Sequence, residues 1–155
     1  MNNLTNDLLE WAVHHRRYLH ENPELSGREY NTCTYIRGIL EELGVTLLPC
    51  TEPSTIGYVK GTVGDKTIAL RADIDALPIQ EEGDKQCLSK VPGISHSCGH
   101  DGHTAILLQV AQWLGQHGRP QDRNVILVFQ PEEETGFGSF GQPNTNSPFS
   151  FRLKV

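Results

Sequence analysis

The chain has 155 residues, of which 37% are hydrophobic and 21% charged, a composition typical of one globular domain with a packed core. Its net charge is −6, with both signs mixed along the sequence, which argues against nucleic acid or an anionic membrane as a partner. No apolar run approaches the roughly 20 residues that a membrane-spanning helix needs.

The N-terminal segment is predicted to be helical. Apolar side chains recur at helical spacing between Leu4 and Leu19, which predicts a first helix over about residues 5–20, ended by Asn22-Pro23. The segment lacks the basic stretch followed by an apolar stretch that marks a secretory signal. We therefore expect a cytoplasmic protein whose four cysteines are reduced thiols.

A second helix is predicted directly afterwards. Ser26 and Glu29 have the spacing of a capping box, in which each side chain bonds the other residue's backbone N–H. Apolar residues from Tyr30 to Leu43 form a stripe at helical spacing, and Gly44 supplies a C-terminal stop.

The middle of the chain reads as short extended segments. Residues 45–48 and 56–59 are predicted strands. Residues 60–63 and 66–71 flank Gly64-Asp65, a dipeptide that favours a tight reversal, so we expect these two segments to pair as a hairpin.

Strands and helices then alternate. Residues 67–70 are apolar enough for a strand buried on both faces, a third helix is predicted over 103–117, and residues 125–129 form another buried strand. This alternation predicts an α/β fold with a largely parallel sheet.

Acidic residues follow both of the apolar strands. Asp73 and Asp75 come after the first, Glu132-Glu133-Glu134 come after the second, and a Cys/His-rich loop lies between them in sequence. Because ligands of open α/β sheets bind beyond the carboxyl ends of the strands, we expect the three loops to meet there.

The Cys/His-rich loop is the densest group of candidate ligands. Five potential metal ligands or proton carriers fall within eight residues: His96, Cys98, His100, Asp101 and His103. Cys98 and His100 suit zinc or a similar divalent ion. Taken singly, each residue is better explained as a structural cysteine or as a hydrogen-bonding or surface histidine, and His117 belongs with the latter. Taken together, the cluster favours a metal.

The acidic residues allow two interpretations. On an extended segment Asp73 and Asp75 would point to one face, although an Asp-rich loop held by local hydrogen bonds has the same pattern. The three glutamates repel one another unless a cation lies nearby, and neighbouring glutamates can divide ligation and general-base work. A solvated acidic loop is the alternative, and the glutamate run by itself favours it.

Four motifs carry a resemblance to a known family. They are RRYLHENPELS at 16–26, ALRADIDALP at 69–78, SCGHDGHT at 97–104 and QPEEE at 130–134. In this order and spacing they resemble the metallo-amidohydrolases that include N-acyl-amino-acid amidohydrolases, hippurate hydrolases and plant auxin-conjugate hydrolases. The resemblance covers residues 8 to about 136.

This resemblance implies the N-terminal portion of a two-metal, zinc-peptidase-like catalytic domain. Cys98 would bridge two divalent ions (zinc, manganese or cobalt), and His100 and Glu134 would be further ligands. Glu133 would be the general base that activates water, and Asp75 would orient a ligand. The implied reaction is hydrolysis of the amide bond of a small-molecule N-acyl amino acid, and full-length relatives are possible homodimers.

The sequence departs from the family in two places. Glu132 replaces the small residue usual there, which we expect to be tolerated. From about Phe140 onward the resemblance ends, so we expect residues 1–139 to be the N-terminal part of the domain and 140–155 to be an irregular, frameshift-like tail. Two further histidine ligands of the family have no counterpart, which leaves three of the five expected ligands.

Two alternatives to an active amidohydrolase remain open. The chain could be a non-catalytic remnant that binds metal weakly at most. It could also be a thiol hydrolase with Cys98 as nucleophile and His100 or His103 as base, although that reading gives Glu133 and Glu134 no role.

Overall fold

The computed structural model describes residues 3–63, 66–118, 120 and 122–136, with side chains from Asp7 onward. No helix within these ranges combines the length and hydropathy that crossing a bilayer requires. The tail expected over residues 140–155 lies outside the described residues. The elements, in chain order, are α1 Asn3–Glu21, α2 Tyr30–Glu42, β1 Thr46–Leu48, β2 Thr55–Val59, β3 Thr67–Asp73, α3 His100–His117 and β4 Asn124–Gln130.

The strands form one mixed sheet in the order β1-β2-β4-β3. β3 and β4 run parallel, in a register that pairs Asp73 with Gln130, whereas β1–β2 and β2–β4 are antiparallel. The α/β class is confirmed, because α3 lies in the crossover that a parallel pair requires. The prediction of a largely parallel sheet was wrong, since one of the three pairings among the described strands is parallel.

The predicted hairpin between residues 60–63 and 66–71 does not form. Residues 60–63 are not a strand, and the Gly61 N–H donates instead to Asn124 Oδ1 at 3.0 Å. Gly61 also has no room for a Cβ beside the Arg123 carbonyl group. These contacts hold the segment against the start of β4, so β2 pairs with β4 rather than with β3.

In the sheet that the described residues form, β4 is a central strand and β3 is an edge strand. Residues 125–130 are buried, whereas burial along β3 begins only at Ala72. Burial on both faces was thus correctly predicted for 125–129 and wrongly for 67–70, because apolar composition cannot distinguish a central strand from an edge.

The hydrophobic core forms where α2 and α3 pack against the sheet. Gly57 allows close approach there, because a Cβ would lie 2.9 Å from Val45 Cγ1. Cys33 belongs to the core, and the four cysteines, all within the described ranges, are free. The buried core residues are Cys33, Ile36, Ile39, Leu40, Val45, Ala72, Ile74, Leu107, Leu108, Ala111, Leu114, Val125, Leu127 and Phe129.

The start of α3 and the capping of α2 differ from prediction. α2 begins where expected, but Glu29 makes no side-chain capping bond and the Ser26 hydroxyl donates to Asp75 instead, so the capping box was wrong. α3 begins at His100 rather than at residue 103, because Gly99 (φ 93°) makes the left-handed turn that precedes it. The candidate ligand His100 therefore sits on a helix and not on a flexible loop.

Candidate metal centre

Three segments meet at the carboxyl ends of β3 and β4, as predicted. The parallel register places the residues after β3 beside those after β4, and the Ile74 N–H extends the ladder by donating to the Gln130 carbonyl at 3.1 Å. The start of α3 reaches the same place, where the Thr104 hydroxyl donates to the Asp73 carbonyl at 3.0 Å.

The His100 ring is buried at the centre of this meeting point. Its Nδ1 lies 3.0 Å from the Asp75 carbonyl oxygen and 3.1 Å from Asp75 Oδ1, which together fix the ring. Its Nε2 faces three carboxylates: Glu134 Oε1 at 3.6 Å, Asp73 Oδ1 at 3.7 Å and Glu133 Oε2 at 3.8 Å. Since Asp75 occupies Nδ1, Nε2 is the nitrogen available to a ligand.

The donor atoms of Cys98, His100 and Glu134 all lie within 4.8 Å of one another. A second set, formed by Asp73, His100 and His103, meets the same limit and shares His100. Thiolate, imidazole and carboxylate are the donor types that zinc prefers in proteins. The residues present therefore fit a divalent transition-metal ion.

Asp75 is a buried carboxylate that holds two of the candidate ligands. Besides His100, its Oδ2 accepts the Glu134 N–H at 2.9 Å and the Ser26 hydroxyl at 2.7 Å. Burial by itself would raise the pKa of Asp75, but the hydrogen bonds from His100, Glu134 and Ser26 outweigh it and lower this pKa to about 2. Asp75 thus stays ionised and orients both ligand-bearing segments.

The surrounding negative charge also acts on His100. Burial would lower the pKa of this imidazole, but its contacts with Asp75 and Cys98 and the charge of Asp73 raise it to about 11. The cluster therefore favours a positive charge on His100. A divalent ion there would compete with the proton.

The remaining histidines behave in different ways. His103 is exposed, and its Nδ1 lies 2.6 Å from Asp73 Oδ1, which confirms a hydrogen-bonding histidine. His117 contacts the Trp113 carbonyl on the surface, also as expected. His96 is only 4% exposed, so it is not a surface histidine, and burial lowers its pKa to about 4.

Asp101 does not join the other candidate ligands. Its Oδ2 lies 2.7 Å from both Arg16 Nε and His20 Nδ1 and not among the donor atoms around His100. Adjacent residues on a helix point in different directions, which explains why proximity in sequence misled here.

Sequence reasoning missed the supporting role of the segment before α2. Ser26 fitted a capping box equally well, and Arg16 and His20 lay in a motif to which no role was assigned. The structure joins this segment to the site through a bridge that pairs Leu25 with Ala76. The 16–26 motif was the available signal.

Comparison with known proteins identifies the family. Residues 69–144 match the sequence model described as peptidase family M20/M25/M40. A hydrolase of Staphylococcus haemolyticus with no characterized activity is 47% identical over 133 residues, and IAA-amino acid hydrolase ILR1-like 4 of Arabidopsis thaliana is 46% identical over 135 residues. The chain belongs to peptidase family M20. The predicted resemblance to metallo-amidohydrolases is thereby confirmed, for the N-terminal part of the M20 domain.

Two solved structures share this fold. The Bacillus subtilis YXEP protein, described as a dinuclear metal binding peptidase from the M20 family, superposes with a TM-score of 0.79 and 40% identity. The match covers 86% of this chain and 38% of that one. A putative aminohydrolase from methicillin-resistant Staphylococcus aureus gives a TM-score of 0.73 and 32% identity, covering 81% and 33%.

The aligned region covers most of this chain but a much smaller part of each relative. The two curated relatives align with 84% and 86% of this chain but with 34% and 30% of their own length. This chain thus spans about a third of the relatives that it matches.

Proposed function

We propose that this M20 chain supplies part of a two-metal centre for hydrolysing the amide bond of N-acyl amino acids. Cys98 would bridge the two ions, with His100 and Glu134 as further ligands. The observation that carries the proposal is the convergence of these three donor atoms within 4.8 Å, on segments that Asp75 orients. The names of the relatives, an IAA-amino acid hydrolase and a dinuclear metal binding peptidase, support the substrate class and the metal number.

Glu133 is proposed as the general base. Its carboxylate is 41% exposed and reaches within 3.8 Å of His100 Nε2, whereas the backbone of its neighbour Glu134 is held by Asp75. Divalent ions bound at the centre would polarise the amide carbonyl and acidify water. Glu133 would take the proton from the attacking water and give it to the departing nitrogen, which releases an amine and a carboxylic acid.

The proposal also concerns the metal binding and hydrolysis that this chain achieves by itself. By family resemblance, two more histidine ligands belong to the complete centre, and no residues in 1–139 match them. We therefore expect the 155-residue chain alone to bind divalent ions weakly and to hydrolyse N-acyl amino acids negligibly. Robust metal-dependent turnover by this chain would contradict that expectation and indicate that it completes its site in another way.

Cobalt binding tests the ligand set directly, because Co²⁺ bound to a thiolate absorbs in the near ultraviolet and visible range. We expect the thiolate band in the wild type, its loss in Cys98→Ala, and its retention in Cys87→Ala, a cysteine that instead lies 3.6 Å from the Arg17 carbonyl group. In a full-length version, Cys98→Ala should also remove amide hydrolysis. Stoichiometric metal and turnover in Cys98→Ala would reject the bridging role.

A chelator separates this proposal from thiol hydrolysis. If the ions act in hydrolysis, removing them from a full-length version abolishes turnover, and adding zinc, manganese or cobalt restores it. Turnover that survives the chelator but not Cys98→Ala would identify Cys98 as a nucleophile instead.

A further inference from the structure

Glu29 is a buried carboxyl group to which the proposed chemistry gives no task. Its residue exposure is 0%, and its Oε1 accepts the Glu132 N–H at 2.8 Å. Its Oε2 is buried and has no hydrogen-bond partner among the residues that the structure describes. An ionisable group buried with one oxygen unpartnered is unfavourable for folding, so its presence calls for another explanation.

Glu29 is held on a rigid support. It occupies the position just before α2, where its carbonyl accepts the Cys33 N–H at 2.9 Å. Cys33 and the following turns of α2 belong to the hydrophobic core. The carboxyl group therefore has a fixed position relative to the sheet.

The group that Glu29 holds is strained. Glu132 has a φ of 56°, in the left-handed region that residues with a Cβ rarely adopt. Opposite it, Gly27 is also left-handed (φ 73°) and lies beside the Glu132 carboxylate. Strained backbone of this kind persists where surrounding contacts fix it, and it concentrates at functional sites.

Glu132 directly precedes the two glutamates of the metal centre. After it the chain turns, and the Gly136 N–H closes the turn on the Glu133 carbonyl at 3.0 Å. The Glu134 N–H is anchored separately on Asp75 at 2.9 Å. Two buried carboxyl groups thus anchor the backbone on either side of Glu133, Glu29 at the Glu132 N–H and Asp75 at the Glu134 N–H.

We propose that Glu29 is a positioning residue of the metal centre: by accepting the Glu132 N–H it fixes the strained backbone that aims Glu133 and Glu134 at the centre. The inference rests on the proposed function for the roles of those two glutamates. It is consistent with the electrostatics, because burial, together with the charges of Asp75 and Glu132, raises the pKa of Glu29 to about 7 against the opposing hydrogen bonds. A carboxyl group kept where its charge is disfavoured serves position rather than stability.

Two variants and one control test the proposal on the chain as it exists. Glu29→Gln keeps an oxygen that accepts the Glu132 N–H, whereas Glu29→Leu removes the acceptor. The matched control is Glu24→Gln, since the Glu24 carboxylate also accepts a backbone N–H near the start of α2, that of Thr32 at 2.8 Å, but its hydrogen bonds go to Asn31 and Thr32 rather than to the 131–136 loop.

The first measurement is backbone amide exchange without metal. The Glu132 amide should lose protection in Glu29→Leu and keep it in Glu29→Gln and Glu24→Gln, while Ile126 in the middle of β4 keeps its rate in all three. If Glu132 and Ile126 lose protection together, Glu29 acts on overall stability and the proposal is overturned. Unchanged protection of Glu132 in Glu29→Leu overturns it equally.

The second measurement is Co²⁺ affinity, compared at conditions where every variant is fully folded. Glu29→Leu should weaken binding by about 10- to 100-fold, the range seen when residues that orient metal ligands are removed, and Glu29→Gln should stay close to the wild type. Wild-type affinity in Glu29→Leu would overturn the proposal. If Cys98→Ala binds Co²⁺ as well as the wild type does, the proposed ligand set fails, and the exchange result alone decides whether Glu29 fixes the loop.

Discussion

His100 and Asp101 are neighbours in the first turn of α3, yet they enter two opposite kinds of polar cluster. The His100 cluster comprises Asp73, Asp75, Cys98, His100, Glu133 and Glu134. The Asp101 cluster comprises Arg16, His20, Glu81, Lys85 and Asp101.

The two clusters differ in charge balance. In the Asp101 cluster two carboxylates face three basic side chains, and both nitrogens of His20 lie within 3.2 Å of a carboxylate oxygen. In the His100 cluster four carboxylates gather around the buried His100 imidazole, with two exposed basic side chains at the edge, Arg71 at 3.3 Å and His103 at 2.6 Å from Asp73. A balanced cluster holds itself together, whereas an unbalanced one calls for a cation. The balance of charges, and not the type of residue, thus distinguishes a structural network from a candidate metal site.

The largest expected effect lies in the His100 cluster. Glu133→Gln in a full-length version should keep its bound metal but lose turnover by roughly 10²–10⁴-fold, because the general base is gone while the ligands remain. Steady-state kinetics and metal analysis of the same preparation check this. Glu82→Gln, at an exposed acidic residue on a neighbouring loop, is the control and should turn over normally. A near-normal kcat in Glu133→Gln would reject the assignment.

The Asp101 cluster should respond in stability instead. Asp101→Ala leaves Arg16 and the buried His20 without their shared acceptor, which should lower the free energy of unfolding by about 3–5 kcal/mol. Asp73→Ala should cost less, because its partners Arg71 and His103 are largely exposed. Urea unfolding of both variants measures the difference. Equal losses would mean that charge balance does not distinguish the clusters.

A third test uses pH. The folded state binds a proton at Glu29 more tightly than the unfolded state does, since its pKa is raised from 4.5 to about 7. This stabilising contribution is present at low pH and is lost as pH rises from about 4.5 to 7. Three groups face this carboxyl from the packed elements: Cys33 on α2, Asp75 after β3 and Glu132 after β4.

Glu29→Gln cannot ionise, so it should escape this loss. Relative to the wild type, its free energy of unfolding should improve between pH 5 and pH 8 by on the order of 3 kcal/mol. Unfolding curves at a series of pH values check the slope. Parallel pH profiles for the two proteins would show that Glu29 keeps an ordinary pKa.

The smallest effect is expected for Lys85→Ala. Lys85 is 58% exposed and lies 2.8 Å from Glu81, which also accepts the Ser89 N–H and contacts His20. Because exposed ion pairs contribute little, the loss should be below about 1 kcal/mol. A loss as large as that of Asp101→Ala would show that the cluster depends on each of its charges.

Sequence patterns predicted what depends on local periodicity and on strand ends. Helices α1 and α2 followed from apolar spacing. The meeting of three loops followed from placing them at the carboxyl ends of two strands. The choice of Cys98, His100 and Glu134 within those loops followed from the family resemblance, and their donor atoms do converge.

Non-local pairing was what the patterns could not supply. Ser26 fits a capping box by spacing, and only its bond to Asp75, 49 residues along the chain, reveals its task. Residues 67–70 are apolar in either position, so their place at the sheet edge depended on which strand β4 would pair with on each side. The hairpin predicted between residues 60–63 and 66–71 failed for the same reason. A Gly-Asp dipeptide indicates that the chain reverses, but it does not indicate which strand pairs with which.

The supports of the site come from residues that are synthesised first. His20 reaches Asp101 across 81 residues, and Glu29 reaches Glu132 across 103. The match to the family's sequence model begins only at residue 69. A shortened protein that starts at residue 69 would keep Cys98, His100 and Glu134 but would lack the supporting residues His20 and Glu29. On the ribosome, residues 16–29 must wait until β4 and the 131–136 loop emerge before the centre can form.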